Sequence, residues 1–310
     1  MKKAKYVGLS LLLSIGFLSA CGDDADNAQA KKGEEKLDEL SVQFVPSQNA
    51  DTLEAKAKPL EELLSEELDI PVEVSVSTDY NTIIEAMDSE QVDVGFLPPT
   101  AYVLAQEKGS GDVMLQAQRY GVNDDGSPTE ELVDSYKSIF IVNKDSDIES
   151  VEDLKGKKIG YQNVTSSAGF VWPAATLLEA GIHPLNDVEP VTLKGHDQAV
   201  ISLLNGDIDA AVTFQDARNV VASDYEDVFE ETRIIEFTEP IPNDTVAIRP
   251  EINDEMKKAI TDAFIAIGKD EEGQQIIRDI YSHEGYVESQ DSNFDIVREY
   301  EEKVSKEVEK

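Results

Sequence analysis

One cysteine, Cys21, stands in 310 residues. No intrachain disulfide is possible, and the fold has to be held by burial. Histidine is nearly as scarce: His183, His196 and His283 show no ligand spacing, so no zinc site can be argued from them. Positive charge is also short, with 27 Lys and Arg against 64 Asp and Glu and a formal net charge of −37. A surface of that sign excludes nucleic acid and anionic lipid headgroups as partners held by charge. Beyond residue 18 no apolar run approaches the roughly 20 residues of a membrane-spanning helix. The chain lacks the glycine spacing and Gly-Lys-Ser/Thr ending of a phosphate-binding P-loop. It also lacks a dinucleotide glycine fingerprint and a serine nucleophile elbow. No cofactor and no catalytic engine are expected.

The amino terminus is richer. Lys2, Lys3 and Lys5 precede a mostly apolar stretch from Val7 to Leu18, the pattern of a secretory signal over residues 1–20. Leu18-Ser19-Ala20-Cys21 resembles the lipobox of bacterial lipoproteins, which implies cleavage before Cys21 and a lipid on its sulfur. Gly22 to Glu35 is polar and free of aromatics, so residues 21–37 read as a flexible tether. Without residues 1–20, 24 basic residues face 64 acidic ones, a net of −40. The expected location is the extracytoplasmic face of the cell membrane, held by the lipid anchor alone.

The body exceeds what one core usually serves, at about 270 residues, so two domains are expected. Leu40 to Val45 reads as a strand, Ala50 to Leu68 as a helix, Val72 to Val76 as a strand, Asn81 to Ser89 as a helix and Val92 to Leu97 as a strand. The same order recurs in Lys158 to Tyr161, Ser167 to Ala180, Val188 to Leu193, Gln198 to Leu204 and Ile208 to Thr213. An offset of 116 residues carries Tyr80–Met87 onto His196–Leu203, Gln91–Phe96 onto Asp207–Val212 and Thr100 onto Asp216. An offset of 117 carries Ser47–Ala50 onto Val164–Ser167. So constant a register predicts two homologous lobes.

Lobe 1 is expected to comprise residues 38–137 plus 243–310, and lobe 2 residues 138–242. Tyr136 to Val142 and Ile234 to Val246 are the crossover strands of a two-strand hinge. Asn253 to Ile267 and Glu272 to Tyr281 should pack as helices on lobe 1, with a charged helix from Phe294 to Lys310. Ligands of open α/β sheets bind beyond the carboxyl ends of the strands, and two such edges facing each other form a cleft. The fold class expected is α/β and periplasmic-binding-protein-like. It is a type II venus flytrap whose lobes are mostly parallel sheets flanked by helices.

Thr165, Ser166 and Ser167 follow a strand and open a helix. A plain N-cap needs one such residue. Three hydroxyls, small residues behind them and the free N–H groups of a helix start point instead to an anion. His196 occupies the next turn on the same edge and could donate a ring N–H, with Asp197 as a possible acceptor behind it. Tyr80 and Tyr102 begin or follow the matching turns of the first lobe and are expected to donate phenolic hydroxyls across the cleft. Asp216 and Asp244 are the odd members, because a carboxylate repels a dianion. Each could accept the remaining proton of a monoanionic oxyacid or pair with a ligand ammonium.

At these residues the chain resembles a known family. Phe96–Tyr102, Tyr161–Phe170, Gly195–Ala199 and Ile241–Asp244, in that order, resemble the phosphate/phosphite/phosphonate-binding lipoproteins of ABC importers, over about residues 38–290. The resemblance implies an oxyanion held by Thr165, Ser166 and Ser167, by His196, by Tyr80 and Tyr102, and by Asp216 and Asp244. It implies a monomeric receptor, not an enzyme, that delivers a small phosphorus oxyanion to the transmembrane subunits of an ABC permease. Two departures stand out. Ala168 separates Ser167 from Gly169, where the family's turn often reads Ser-Thr-Ser-Gly. Asp216 stands where members binding aminoalkylphosphonates tend to carry glutamate, which leaves the organic tail open. Two other readings are the same receptor fold on a sulfonate, thiamine precursor or amino acid, and a phosphoesterase using His196 or Ser166. The second would need a metal or an activated nucleophile.

Overall fold

The computed structural model describes residues 33–308; Cys21, the signal segment and the tether up to residue 32 lie outside the described residues. Strands are gathered into two large sheets. One has the order Gly285–Glu288, Asp112–Val122, Thr245–Ile248, Val94–Leu97, Leu40–Phe44, Val72–Val76, with Pro128–Val133 paired to the long strand. The other runs Thr232–Phe237, Ser138–Asn143, Ala210–Phe214, Lys158–Tyr161, Glu189–Thr192.

Each sheet contains the same parallel unit. Leu40–Phe44 lies between Val72–Val76 and Val94–Leu97, with Phe44 level with both Val76 and Phe96. Lys158–Tyr161 lies likewise between Glu189–Thr192 and Ala210–Phe214. Beyond the third strand of each unit comes an antiparallel strand supplied after a crossover: Thr245–Ile248 in the first sheet, Ser138–Asn143 in the second. A further antiparallel strand flanks each of these. The sheets are therefore mixed rather than mostly parallel, because strands joined by hairpins or crossovers add antiparallel to a βαβαβ unit. The crossing itself is a short ribbon, Ser135–Tyr136 against Ile241–Pro242.

Local chemistry accounts for most element boundaries. Asp79 caps the helix Tyr80–Asp88 by accepting from Asn81 N–H at 2.8 Å. The single helix expected from Ala50 to Leu68 is two, Ala50–Ala57 and Pro59–Leu68. Pro59 has no N–H to continue the first and takes the opening turn of the second. The expected tether also ends early. Glu35 bridges to Ile252, and its carboxylate pairs with the buried Arg249, which donates a second bond to Asp93 at 2.8 Å. A buried guanidinium needs carboxylate partners, and these anchor the chain before residue 37.

The first core centres on Phe44 and Phe96, stacked at 4.2 Å, with Phe264 and Tyr286 edge-on to Phe96. The second holds Ile139, Ile141, Val200 and Leu203. The last helix, Asp295–Val308, packs on both the helix Pro99–Lys108 and the helix Trp172–Glu179. Arg298 donates to Gln106 on the former at 3.2 Å, and Tyr300 stacks on Trp172 of the latter at 4.5 Å.

Candidate functional site

The carboxyl ends of the two parallel units meet around a partly open cavity of about 60 Å³. One water needs about 10–15 Å³ measured in this way, so there is room for a small oxyanion with at most a short substituent. Sequence-expected residues in its wall are Tyr80, Ser166, His196 and Asp244. Arg119, Tyr136 and Tyr281 line it as well, with apolar surface from Phe96, Phe214 and Val220.

Ser166 sits where the strand Lys158–Tyr161 turns into helix. Its hydroxyl oxygen accepts from Gly169 N–H at 3.1 Å. The segment Ser167–Val171 that follows is wound as a π-turn before the α-helix begins at Trp172, a device common at functional sites. Tyr80 of the other lobe shares the cavity wall with the Ser166 hydroxyl, and burial raises the Tyr80 phenol above its ordinary pKa. Both remain neutral donors at physiological pH.

His196 opens the helix His196–Leu204 and is 3% exposed. Its Nδ1 lies 2.8 Å from the Thr213 hydroxyl. With Thr213 donating to Nδ1, the ring proton resides on Nε2 and can be given to a ligand oxygen. Burial, opposed by the charge of Asp244, pushes the imidazole down to about 3, so the ring binds as a neutral donor. A stability consequence follows. The unfolded chain protonates His196 below the ordinary value of 6.5, whereas the fold resists until about 3. The stabilising difference is therefore present above 6.5 and lost as pH falls towards 3. His196→Gln should flatten the decline in melting temperature between pH 7 and pH 4, measured by scanning calorimetry. Burial depresses His283 in the same direction, so only part of the slope disappears. An unaltered slope would mean that His196 is protonated inside the fold.

The other expected residues take different posts. Thr165 spends its hydroxyl on Asn163 Oδ1 at 2.8 Å, and Asn163 in turn donates to Asp79 of the first lobe at 2.8 Å. Ser167 accepts from Thr100 N–H at 3.0 Å, also across the cleft. Ser167 is thus a lobe-to-lobe fastening and Thr165 steadies the Asn163 that makes another; both are buried and neither lines the cavity. Tyr102 points away altogether: its hydroxyl donates to Asp291 at 2.7 Å and its ring packs on Phe294. Helical rotation over the first turn of Pro99–Lys108 leaves Thr100 at the cleft and turns Tyr102 to the C-terminal segment. Asp216 precedes a short helix outside the cavity wall, 3.6 Å from Arg119 Nη1. Asp197 does not reach the His196 ring; it accepts from Asn49 N–H at 3.2 Å.

Two charged or titratable side chains near the cavity were not among the residues expected from the sequence. Arg119, on the strand Asp112–Val122, is the one arginine or lysine among the described residues lining the cavity. It donates to the Tyr281 carbonyl at 2.9 Å and lies 5.2 Å above the Tyr136 ring. His283 stands 3.5 Å from Asp244, on the edge of the Tyr286 ring. The signal for Arg119 was a single charge late in a strand of otherwise uncharged residues, Val113 to Gln118.

The lobes touch closely along the cleft. His196 N–H donates to the Ser47 carbonyl at 2.9 Å. A β-carbon on Gly195 would lie 3.1 Å from Gln48 Cα. Among the described residues, no group of three His, Cys, Asp or Glu side chains could hold a metal ion.

Known proteins resemble the chain in sequence and in fold. The model of a family described as the periplasmic substrate-binding protein of phosphonate ABC transporters matches residues 42–294. The phosphate-import protein PhnD of Mycolicibacterium smegmatis is 27% identical over 208 residues, 64% of this chain but only 62% of that protein. The phosphonates-binding periplasmic protein of Escherichia coli is 24% identical over 248 residues, 79% of this chain and 70% of its own. Among solved structures, PhnD1 of Prochlorococcus marinus in complex with methylphosphonate aligns with a TM-score of 0.74. That alignment covers 87% of this chain and 99% of the other at 17% identity, a likeness of fold.

Proposed function

The chain belongs to the family of periplasmic substrate-binding proteins of phosphonate ABC transporters, and from that premise we propose that it captures a small phosphorus oxyanion between its lobes and hands it to the transmembrane subunits of an ABC importer. The observation carrying this reading is the convergence of Ser166, His196, Tyr80 and Arg119 on one cavity at the strand ends. Neutral donors and one guanidinium suit an oxyanion, whereas Asp244 is an acceptor-only group. Asp244 is suited to receive a hydrogen bond from a P–OH, so the monoanion is the bound form. No bond in the ligand needs to break; the residues bind, orient and exclude water. In the same reading Cys21 carries the lipid anchor, the protein works as a monomer outside the cytoplasm, and residues 38–137 plus 243–310 move as one lobe against 138–242.

A thermal-shift panel of phosphate, phosphite, methylphosphonate and taurine tests the reading. A true ligand at a hundred times its Kd adds about 2.7 kcal/mol, or about 5 °C for a chain of this size. Small-angle scattering should show the radius of gyration falling with that same ligand, because contacts come from both lobes. A shift with taurine alone, or none with the phosphorus compounds, would overturn the reading.

A further inference from the structure

The ionised groups around the cavity do not balance, and their arrangement bears on what an oxyanion ligand carries. Asp216 holds one carboxylate oxygen buried and without a hydrogen-bond partner. An oxygen so placed has left water without a bond in return, and a nearby cation is what offsets its charge. That cation is Arg119, 3.6 Å away and 7% exposed. The Tyr281 carbonyl and the Tyr136 ring fix its guanidinium in place. Asp244, in the cavity wall, is backed by His283. We infer that Arg119 is a built-in counterion for Asp216 and thereby a determinant of ligand class: the site selects phosphorus oxyanions that bear no ammonium group over aminoalkylphosphonates.

The inference rests on the phosphorus-oxyanion reading and goes one step further. An ammonium tail entering the cavity meets a guanidinium in its wall and finds Asp216 already compensated. One carboxylate, Asp244, is left free for the proton of a monoanionic head. Space agrees, since about 60 Å³ accepts a head group with a hydrogen, hydroxyl or methyl substituent more readily than a two-carbon chain with its own hydration. The apolar surface of Phe96, Phe214 and Val220 suits such a substituent.

Calorimetry with methylphosphonate and 2-aminoethylphosphonate on the whole chain tests it. The unaltered protein should prefer methylphosphonate by about 100-fold or more, the loss expected when a charge is desolvated beside a like charge. Arg119→Gln leaves Asp216 uncompensated and able to recruit the ligand's ammonium, so the preference should narrow at least about tenfold. The double variant Arg119→Gln with Asp216→Asn removes repulsion and recruitment together, so it should narrow the preference by a smaller factor, about threefold. Should the single variant fail to fold, the double variant carries the test, because it buries no unpaired charge. Equal affinities in the unaltered protein, or a preference unmoved in whichever variant folds, overturns the role of Arg119 while the wider reading stands. No binding of methylphosphonate, phosphite or phosphate to the unaltered protein overturns both.

Discussion

Gly195→Val should hold the lobes apart and weaken oxyanion binding by about 100-fold or more, a loss of about 2.7 kcal/mol, while leaving each lobe folded. The backbone at Gly195 is extended, with φ of −151°, so a side chain brings no conformational strain of its own. The obstacle is the opposite lobe. A β-carbon at this position lies 3.1 Å from Gln48 Cα and 3.2 Å from its carbonyl carbon, and 2.4 Å from Asp197 Oδ1. The Asp197 side chain can rotate away, but Gln48 is main chain leading into the helix Ala50–Ala57 and cannot. The branched side chain also displaces His196, whose N–H bond to the Ser47 carbonyl is part of the same seam. Alanine should show a milder version, since a few tenths of an ångström relieve its contact. Calorimetry gives the affinity and circular dichroism the integrity of the fold. Scattering at high ligand should keep the radius of gyration of the open form. Unchanged affinity in Gly195→Val would mean that the seam at Gln48 plays no part in binding.

Ser166→Ala is expected to cost roughly 1.5–3 kcal/mol of binding, about 10- to 150-fold, as a charge-assisted hydrogen bond to the ligand is lost. The same hydroxyl caps the following helical turn through Gly169, so about 1 kcal/mol of stability should go with it. Ser167→Ala provides the contrast. Its hydroxyl fastens Thr100 and stays out of the cavity wall, so its effect on affinity should be several-fold smaller and act through closure. Equal losses in the two variants would place the anion at Ser167. No loss in Ser166→Ala would move it away from this turn.

The 116-residue repeat made much of this arrangement readable in advance. It aligned Tyr80 with His196, and these two residues open matching helices, Tyr80–Asp88 and His196–Leu204, in the two lobes. Strand and helix periods are local properties, and Ser166, His196 and Tyr80 follow from knowing where a strand ends. What escaped depends on distant chain. Arg119 owes its place to a helix end 162 residues away, and the strand beneath it has no clean alternation of buried and exposed positions. Tyr102 was assigned to the cleft from its turn alone, whereas Asp291 and Phe294, near the other end of the chain, claim its hydroxyl and ring. Thr165 and Ser167 belonged to a motif read as one unit, yet Asn163 claims the Thr165 hydroxyl and Thr100, from the other lobe, that of Ser167. Asp216 lay at the repeat partner of Thr100, close to the cleft but one side chain short of it.

The C-terminal helix bears on the work of release. A ribbon of two short strands leaves bending and twisting about equally free, but Asp295–Val308 packs on a helix from each side of the cleft. Opening has to slide or part the Tyr300 and Trp172 rings, and each aromatic ring carries about 150–250 Å² of surface that water would have to cover. That surface offsets part of the cost of closing but leaves the ligand to complete it. Apparent affinity then lies nearer to the intrinsic affinity of the closed form than a free ribbon would allow, because less of the binding energy is diverted into shifting populations. The counterpart falls at delivery: on the proposed reading the importer, and not thermal opening alone, has to supply the work that sets the cargo free.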